Sequence, residues 1–321
     1  MQSVKHIFAA LPRRASSLEG LEADRIPSRP NDYVALGTEG QPVLLVAFSG
    51  SEVYKTPIRL RHFSVDFGST CRVRNAAGES FESKFVVITC SAGDVELYDF
   101  FLGVVESLLI DLPVLPETSD VQRSVMSLVE LFRKLEVPSH RAIKGLWAEL
   151  FVVYKSPSVG LWLAAWRGGV TDKFDFAWNQ SRMDVKVTEG PRRIHEFALA
   201  QVDELAHATF VTSLLLRRSS SGLNVIELAM RIAERVTTNK RNLIQKLWTN
   251  VSDTLGADFA INSDLKFDPT FAANNLRVVA AKLIPKPDVL DSRVYDVRFK
   301  VDISEIADQT ILVLGDCSSC A

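Results

Sequence analysis

The chain has 321 residues, a length that suits one large domain or two modest ones. Hydrophobic residues make up 47% and charged residues 24%, as in ordinary globular proteins, and no run of about 18 apolar residues predicts a membrane span. The formal net charge of −2 excludes a molecule that attracts nucleic acid through its overall charge. Any contact with DNA must come from a local patch or through metal ions.

The two ends of the chain contain no targeting or structural-metal signal. The first residues, MQSVKHIFAALPRRASS, lack a signal-peptide core and predict an amphipathic helix. The four cysteines are too few for a disulfide framework and favour a reduced, cytoplasmic setting. Cys317 and Cys320 form a CxxC pair without a visible second pair of soft ligands, so we interpret them as free thiols of a tail.

The first third of the chain is predicted to be rich in β-structure. Residues 32–92 contain alternating or β-branched runs that predict four strands, at Val43–Phe48, Ile58–Phe67, Cys71–Asn75 and Phe85–Cys90. Helical spacing of apolar residues follows over 94–111. Pro113 and Pro116 then exclude a helix interior, and the next helix is expected over about 120–135.

The remainder of the chain predicts a central α/β unit and a closing α-then-β segment. The predicted helices are 139–155, 201–206 and a pair within 223–256, and the predicted strands are 173–178, 182–188, 194–199, Thr209–Leu216, Leu276–Leu283, Arg293–Ile303 and Thr310–Leu314. We therefore expect a mixed α/β (α+β) chain in three parts: a β-rich domain at 1–115, a linker with a helix at 116–138, and a domain at 139–321.

A predicted hairpin at residues 174–188, FDFAWNQSRMDVKVT, contains the most informative pattern. Apolar and polar residues alternate on both sides of Asn179–Gln180. A turn centred there pairs position 175 with 184, which places Asp175, Asp184 and Lys186 on one face. The alternative is an ordinary exposed strand face whose charges are solvated.

Paired carboxylates of this kind predict a metal site. Directly opposed strand residues have Cβ atoms roughly 5 Å apart, so two carboxylates repel unless a cation lies between them. Mg²⁺ favours a few carboxylate oxygens and retained waters, and Lys186 could position a water or stabilise charge on a phosphate. These parts suit metal-assisted hydrolysis of a phosphodiester.

Glu149 is a third candidate carboxylate, in the segment KGLWAELFVVY. It borders a predicted helical stripe formed by Leu146, Leu150 and Val153. A carboxylate beside apolar packing is costly unless it is paired or bound to metal. The alternative, which is the more common case for a glutamate on a helix, is a salt bridge or a solvated helix edge.

Five segments, taken in order along the chain, resemble the PD-(D/E)XK nuclease superfamily. They are GLWAEL (145–150), AWRGG (165–169), FDF (174–176), DVK (184–186) and IHEFALAQVDEL (194–205). The block is most similar to a bacterial family of PD-(D/E)XK-type proteins found beside restriction and phage-defence genes. About 60 to 70 residues resemble the family closely. Phe174 stands where the motif has Pro, and Asp184 where Glu is equally usual.

The resemblance implies a restriction-endonuclease-like core of mixed sheet flanked by helices. It implies Mg²⁺ (or Mn²⁺) bound by Asp175 and Asp184, with Glu149 as an outer or second-metal ligand. Lys186 would position the nucleophilic water, and Gln201 would lie near the site. His195 would either touch phosphate or pack within its strand, and Arg192 and Arg193 would either grip a nucleic-acid backbone or be solvated loop residues.

The sequence therefore predicts a metal-dependent endonuclease, with DNA as the expected substrate, in a restriction or phage-defence system. The alternative is a nuclease-fold subunit that does not cleave and instead binds nucleic acid or protein partners of a defence complex. A homodimer is possible, because cleavage of both strands by one centre per chain usually requires two chains. The chain contains no Walker loop, GxSxG, HExxH or GxGxxG motif that would indicate another chemistry.

Overall fold

The computed structural model describes residues 3–13, 20–50, 55–75, 78–93, 95–109, 112–136, 142–169, 172–202, 207–236, 241–259, 264–288, 291 and 293–310. The chain divides into two compact units. The first consists of Met1–Pro138 and Gly256–Ala260, and the second of Ser139–Leu255 and Ile261–Ala321. Among the described residues, no helix is both long and apolar enough to cross a membrane.

The first unit contains a six-stranded sheet that closes on itself. Its strands are β1 (Leu21–Ile26), β2 (Arg29–Leu36), β3 (Pro42–Val46), β4 (Ile58–Arg59), β5 (Phe63–Arg74) and β6 (Ser80–Cys90). Neighbours are antiparallel in the order β1-β2-β3-β6-β5-β4, and β1 also pairs in parallel with β5. The second pairing of β1 closes five strands into a barrel and leaves β4 outside the ring.

The interior of the barrel is apolar, in agreement with the alternating apolar residues of its strands. Tyr33, Leu45, Phe85 and other inward side chains form the interior core. The outer face packs against helices: the Phe63 ring lies 4.7 Å from the ring of Phe132. The helices of this unit are α1 (Val4–Ala10), α2 (Val95–Leu109) and α3 (Thr118–Lys134).

A late segment of the chain returns to the first unit. Residues Gly256–Asp258 form a 3-10 turn, and the ring of the following Phe259 lies 5.6 Å from the ring of Phe100 on α2. The aromatic core of the first unit thus contains Phe259, which follows most residues of the second unit in the sequence.

A buried ion pair joins three parts of the first unit. Arg29 and Asp32 on β2 are 3% and 0% exposed and form a salt bridge. The Arg29 guanidinium donates to the carbonyl oxygens of Leu109 and Leu112 at 3.0 and 2.7 Å, so it satisfies acceptors at and just beyond the end of α2. Asp32 Oδ1 accepts from the backbone N–H of Ala47 at 2.8 Å.

The second unit is built on a four-stranded mixed sheet of order β12-β10-β8-β7. The parallel pair β8–β10 lies at its centre, and β7 and β12 are antiparallel to their neighbours. A separate antiparallel pair joins β9 and β13. The strands are β7 (Phe176–Ala177), β8 (Ser181–Thr188), β9 (Ile194–Ala198), β10 (Ala208–Leu215), β11 (Arg218–Leu223), β12 (Leu276–Ala280) and β13 (Arg298–Asp302).

Helices and the β9–β13 pair cover this sheet. The helices are α4 (Ile143–Lys155), α5 (Val159–Ala165), α6 (Leu199–Val202), α7 (Val225–Arg235), α8 (Arg241–Leu255) and α9 (Pro269–Asn274). On one face, Phe176 packs edge-on against Trp162 of α5, 5.2 Å away. On the other, Phe197 of β9 and Val211 of β10 belong to one apolar cluster. Val211 pairs with Asp184, so this second face is also the face of Asp184.

The structure confirms most predicted elements and corrects several. Residues 116–138, expected to be a linker with a helix, belong to the first compact unit through α3. Helices α5 and α9 and strands β1, β2 and β11 were not predicted. The strand expected over Arg293–Ile303 is confined to β13, because Asp296 has a φ of 52° that interrupts extended backbone. Most of the strand predicted at Thr310–Leu314, and both Cys317 and Cys320, lie outside the described residues.

Candidate active site

The predicted hairpin exists, with the predicted register. Strands β7 and β8 are antiparallel, with Phe176 opposite Met183 and Ala177 opposite Arg182. The backbone N–H of Trp178 donates to the carbonyl of Ser181 at 2.9 Å, which closes the turn. Phe176 and Met183 are fully buried on the apolar face. Alternation then places Asp175, Asp184 and Lys186 on the opposite face, as predicted.

Asp175 is held rigidly at the start of this hairpin. Its Oδ2 atom accepts from the backbone N–H of Val185 at 2.7 Å, and its Oδ1 atom lies 3.0 Å from Arg167 Nη1. The backbone N–H of Arg167 donates to the carbonyl of Asp175 at 2.8 Å, which fixes this arginine beside the aspartate. The carboxylate therefore has a structural role in the sheet, while unused lone pairs remain on both oxygens.

Asp184 is buried and only partly satisfied. Its Oδ1 atom accepts from Gln201 Nε2 at 3.2 Å. Its Oδ2 atom lies 2.8 Å from Lys186 Nζ but accepts no hydrogen bond of good geometry from the residues that the structure describes. Burial, and then the charge of Asp175, raise the pKa of Asp184 to about 7, against the opposing effect of Lys186. Such a carboxylate is one that a proton or a cation would stabilise.

This pKa predicts that Asp184→Asn stabilises the metal-free protein. The folded pKa of about 7 lies above the ordinary value of 3.8, so the unfolded chain releases its proton first and stability falls as pH rises from 3.8 to 7. Asparagine removes that loss. In EDTA we expect a gain of a few kcal/mol at pH 8, because asparagine resembles the protonated carboxyl, and almost none at pH 4.

The measurement is the pH dependence of the free energy of unfolding. Asp268→Asn is a matched control, because Asp268 is solvated and its pKa is lowered, first by Arg217. The control should give no gain at any pH. A gain for Asp184→Asn that is independent of pH would contradict the assignment of the raised pKa to this group.

Glu149 is connected to the centre through Arg167. This glutamate is 3% exposed on α4, and its Oε2 atom accepts from Trp166 Nε1 at 2.7 Å. Its Oε1 atom forms a salt bridge with Arg167, whose other terminal nitrogen contacts Asp175. In the described part of the chain, no three His, Cys, Asp or Glu side chains converge as metal ligands. The sequence predicted three carboxylates as metal ligands. The structure instead shows the pair Asp175 and Asp184, and Glu149 forms a salt bridge with Arg167.

Gln201 lies at the site, as predicted, and its position is well defined. It is on the short helix α6, where its Oε1 atom accepts from the backbone N–H of Ala198 at 3.2 Å. Its Nε2 atom donates to Asp184 Oδ1 and to the carbonyl of Lys173, the latter at 3.0 Å. The amide therefore links β9, the segment before β7 and the Asp184 carboxylate.

The structure contradicts both alternatives predicted for Arg193, a phosphate contact and a solvated loop residue, and it does not favour a phosphate contact at His195. Arg193 is 5% exposed and donates to the Ser213 carbonyl and hydroxyl and to the Asn275 carbonyl, so its guanidinium is a structural cross-link. His195 is buried, with Nε2 2.8 Å from Ser213 Oγ, and burial lowers its pKa to about 4. The packed-strand alternative for His195 is thus the better one. Arg192 is exposed and pairs with Asp302.

A cleft of about 570 Å³ opens beside Lys186 and Gln201. Besides these two, its lining includes the charged residues Asp172, Lys173, Glu196 and Arg298. Arg298 is 63% exposed and lies 3.8 Å from Glu196, so this ion pair is weak and can be exchanged for another partner. Lys173 and Arg298 were not singled out from the sequence, since each is an isolated basic residue in its own segment.

A mixed α/β unit with an aspartate and then an Asp-x-Lys motif on adjoining strands is the arrangement that defines the PD-(D/E)XK superfamily. The chain matches the family described as "Putative PD-(D/E)XK family member, (DUF4420)" over residues 4–304. It therefore belongs to that family, which confirms the resemblance seen in its sequence. Neither the curated proteins nor the solved structures contain a match to this chain. The association with phage-defence genes stays a prediction.

Proposed function

We propose that the second unit hydrolyses phosphodiester bonds of DNA with the help of one or more divalent cations, Mg²⁺ or Mn²⁺. The observation that carries the proposal is the buried pair Asp175 and Asp184 with Lys186, a residue that also lines the cleft, beside Asp184. Family membership supports a nuclease-type activity. A role in a restriction or phage-defence system, and the pairing of two chains for double-strand cleavage, are parts of the same proposal.

The residues fit a divalent cation. Asp184 Oδ2 is buried without a well-aligned hydrogen bond, and the nearby Asp175 carboxylate retains unused lone pairs. Two carboxylates with completing waters and substrate oxygens are the usual protein environment of Mg²⁺. When bound, such an ion would polarise the phosphate and lower the pKa of a water molecule. Asp175 and Asp184 are the residues that would hold it.

The chain's own side chains supply the remaining functions. Lys186 is 23% exposed and lines the cleft, so its ammonium group can donate to a water or to a phosphate oxygen that enters there. Gln201 holds Asp184 in one orientation. Lys173 and Arg298 lie along the cleft, where they can contact neighbouring phosphates of a nucleic-acid backbone.

The test is cleavage of supercoiled plasmid DNA by the purified full chain. We expect nicked or linear product with Mg²⁺ or Mn²⁺ and none with EDTA. Asp184→Ala should abolish cleavage, whereas Asp24→Ala, which removes a carboxylate from β1 of the other unit, should retain it. Equal cleavage by both variants would identify a contaminating nuclease and overturn the proposal.

Single-stranded DNA and RNA of the same sequence are included as parallel substrates. Cleavage of RNA alone would replace DNA as the substrate while leaving the hydrolytic assignment intact. A folded chain that binds DNA but cleaves no substrate with either metal would instead favour the non-cleaving subunit.

A further inference from the structure

The least expected feature of the centre is the guanidinium of Arg167. One terminal nitrogen contacts Glu149 Oε1, and the other lies 3.0 Å from Asp175 Oδ1. A single cation therefore bridges two carboxylates that are 3% and 6% exposed. The planar guanidinium, with donors in a fixed fork, suits this bridging position better than an ammonium group would.

The position of Arg167 is determined by the fold. Its backbone N–H pairs with the carbonyl of Asp175, and its own carbonyl accepts from Asn250 Nδ2 at 3.1 Å. The preceding Trp166 donates its indole N–H to the second oxygen of Glu149. Trp166 thus holds one oxygen of Glu149, and the other oxygen is oriented toward the Arg167 guanidinium.

The sum of the charges at the centre also indicates how many metal ions it can hold. Among the residues that the structure describes, ion pairs connect five ionisable side chains at the centre: three carboxylates (Glu149, Asp175, Asp184) and two cations (Arg167, Lys186). With all five ionised, they leave one net negative charge in a largely buried region. One divalent ion together with one phosphodiester charge would neutralise it, whereas two divalent ions would leave a buried excess of positive charge.

We propose that Arg167 occupies the place of a second metal ion, so that Asp175 and Asp184 would hold a single divalent cation. Arg167 is then a positioning residue that neutralises Asp175 through Oδ1, and the unused lone pairs of Asp175 would serve the metal. Glu149 fixes Arg167 and is not a metal ligand. This inference rests on the proposed function, because it concerns the metal of the same centre.

The experiment counts Mn²⁺ ions per chain, by calorimetric titration and by electron paramagnetic resonance, without any activity measurement. The wild-type chain should bind one ion at this centre, and Asp184→Asn should bind none. Glu149→Gln should still bind one. Arg167→Met should bind two, because Glu149 and Asp175 then attract a cation into the space between them, and Glu149→Gln/Arg167→Met should return to one.

A gain of an ion in Arg167→Met is a result that mere loss of structure cannot produce. Arg167→Lys is the conservative control and should keep one ion. Two ions in the wild-type chain, with one lost in Glu149→Gln, would overturn this inference and leave the proposed hydrolysis intact. No ion in the wild-type chain would overturn both. If Arg167→Met does not fold, the counts for wild type and Glu149→Gln decide the matter.

Discussion

Replacement of Lys186 by methionine is expected to reduce the rate of phosphodiester cleavage by about a thousandfold, the usual loss when one stabilising donor is removed from a preorganised site. The ammonium group lies 2.8 Å from Asp184 Oδ2 and faces the cleft, so it can stabilise charge that develops on a phosphate. Methionine has a similar length and leaves the Phe197 ring, 5.7 Å from the ammonium in the wild type, covered.

Metal binding separates this catalytic role from a structural one. Removal of a positive charge beside Asp184 should leave Mn²⁺ affinity equal or higher, while the maximal cleavage rate falls. Lys155→Met, an exposed substitution at the end of α4, is the matched control and should retain full activity. Loss of metal binding together with loss of cleavage would show that Lys186 maintains the site and takes no part in the chemistry.

Loss of the buried arginine in the first unit should cause the largest change in stability. Arg29→Met leaves Asp32 as an unpaired charge at a fully buried position, and it removes donors from the carbonyls of Leu109 and Leu112. Breaking a buried pair on one side costs about 3–5 kcal/mol. Burial already raises the pKa of Asp32, and the guanidinium is the main opposing influence.

Chemical denaturation followed by far-ultraviolet circular dichroism measures this change. Arg123→Met is the control, because its pair with Asp120 involves an arginine that is 68% exposed, and its loss should cost no more than about 0.5 kcal/mol. The double variant Arg29→Met/Asp32→Leu should recover part of the loss, since it leaves no buried charge unpaired. Equal stability of wild type and Arg29→Met would refute the structural role of the pair.

The hairpin could be predicted because its information is local. Alternation of apolar and polar residues over 174–188 determines which side chains share a face, and Asn179–Gln180 determines which positions oppose each other. The juxtaposition of Asp175 and Asp184 follows from these two features alone. Helices α2, α3 and α7 were predictable for the same reason, since their apolar residues repeat at helical spacing.

Contacts between distant segments account for what the sequence did not show. Arg193 was predicted to be accessible because it stands in a polar loop, but the pairing of β9 with β13 and the contacts with Ser213 and Asn275 bury it. Arg167 was not recognised, because its role depends on α4 and β7, which lie on either side of it in the chain. Glu149 was correctly predicted to lie near the centre, but its immediate partners are Trp166 and Arg167.

The return of residues 256–260 to the first unit has a consequence for synthesis on the ribosome. Phe259 packs with Phe100, so the aromatic core of the first unit remains incomplete until more than 250 residues have been made. Helices α4 to α8 precede this segment in the chain, so they are synthesised before the barrel unit can be completed. Completion of the N-terminal unit therefore comes late in translation, even though its strands are the first to leave the exit tunnel.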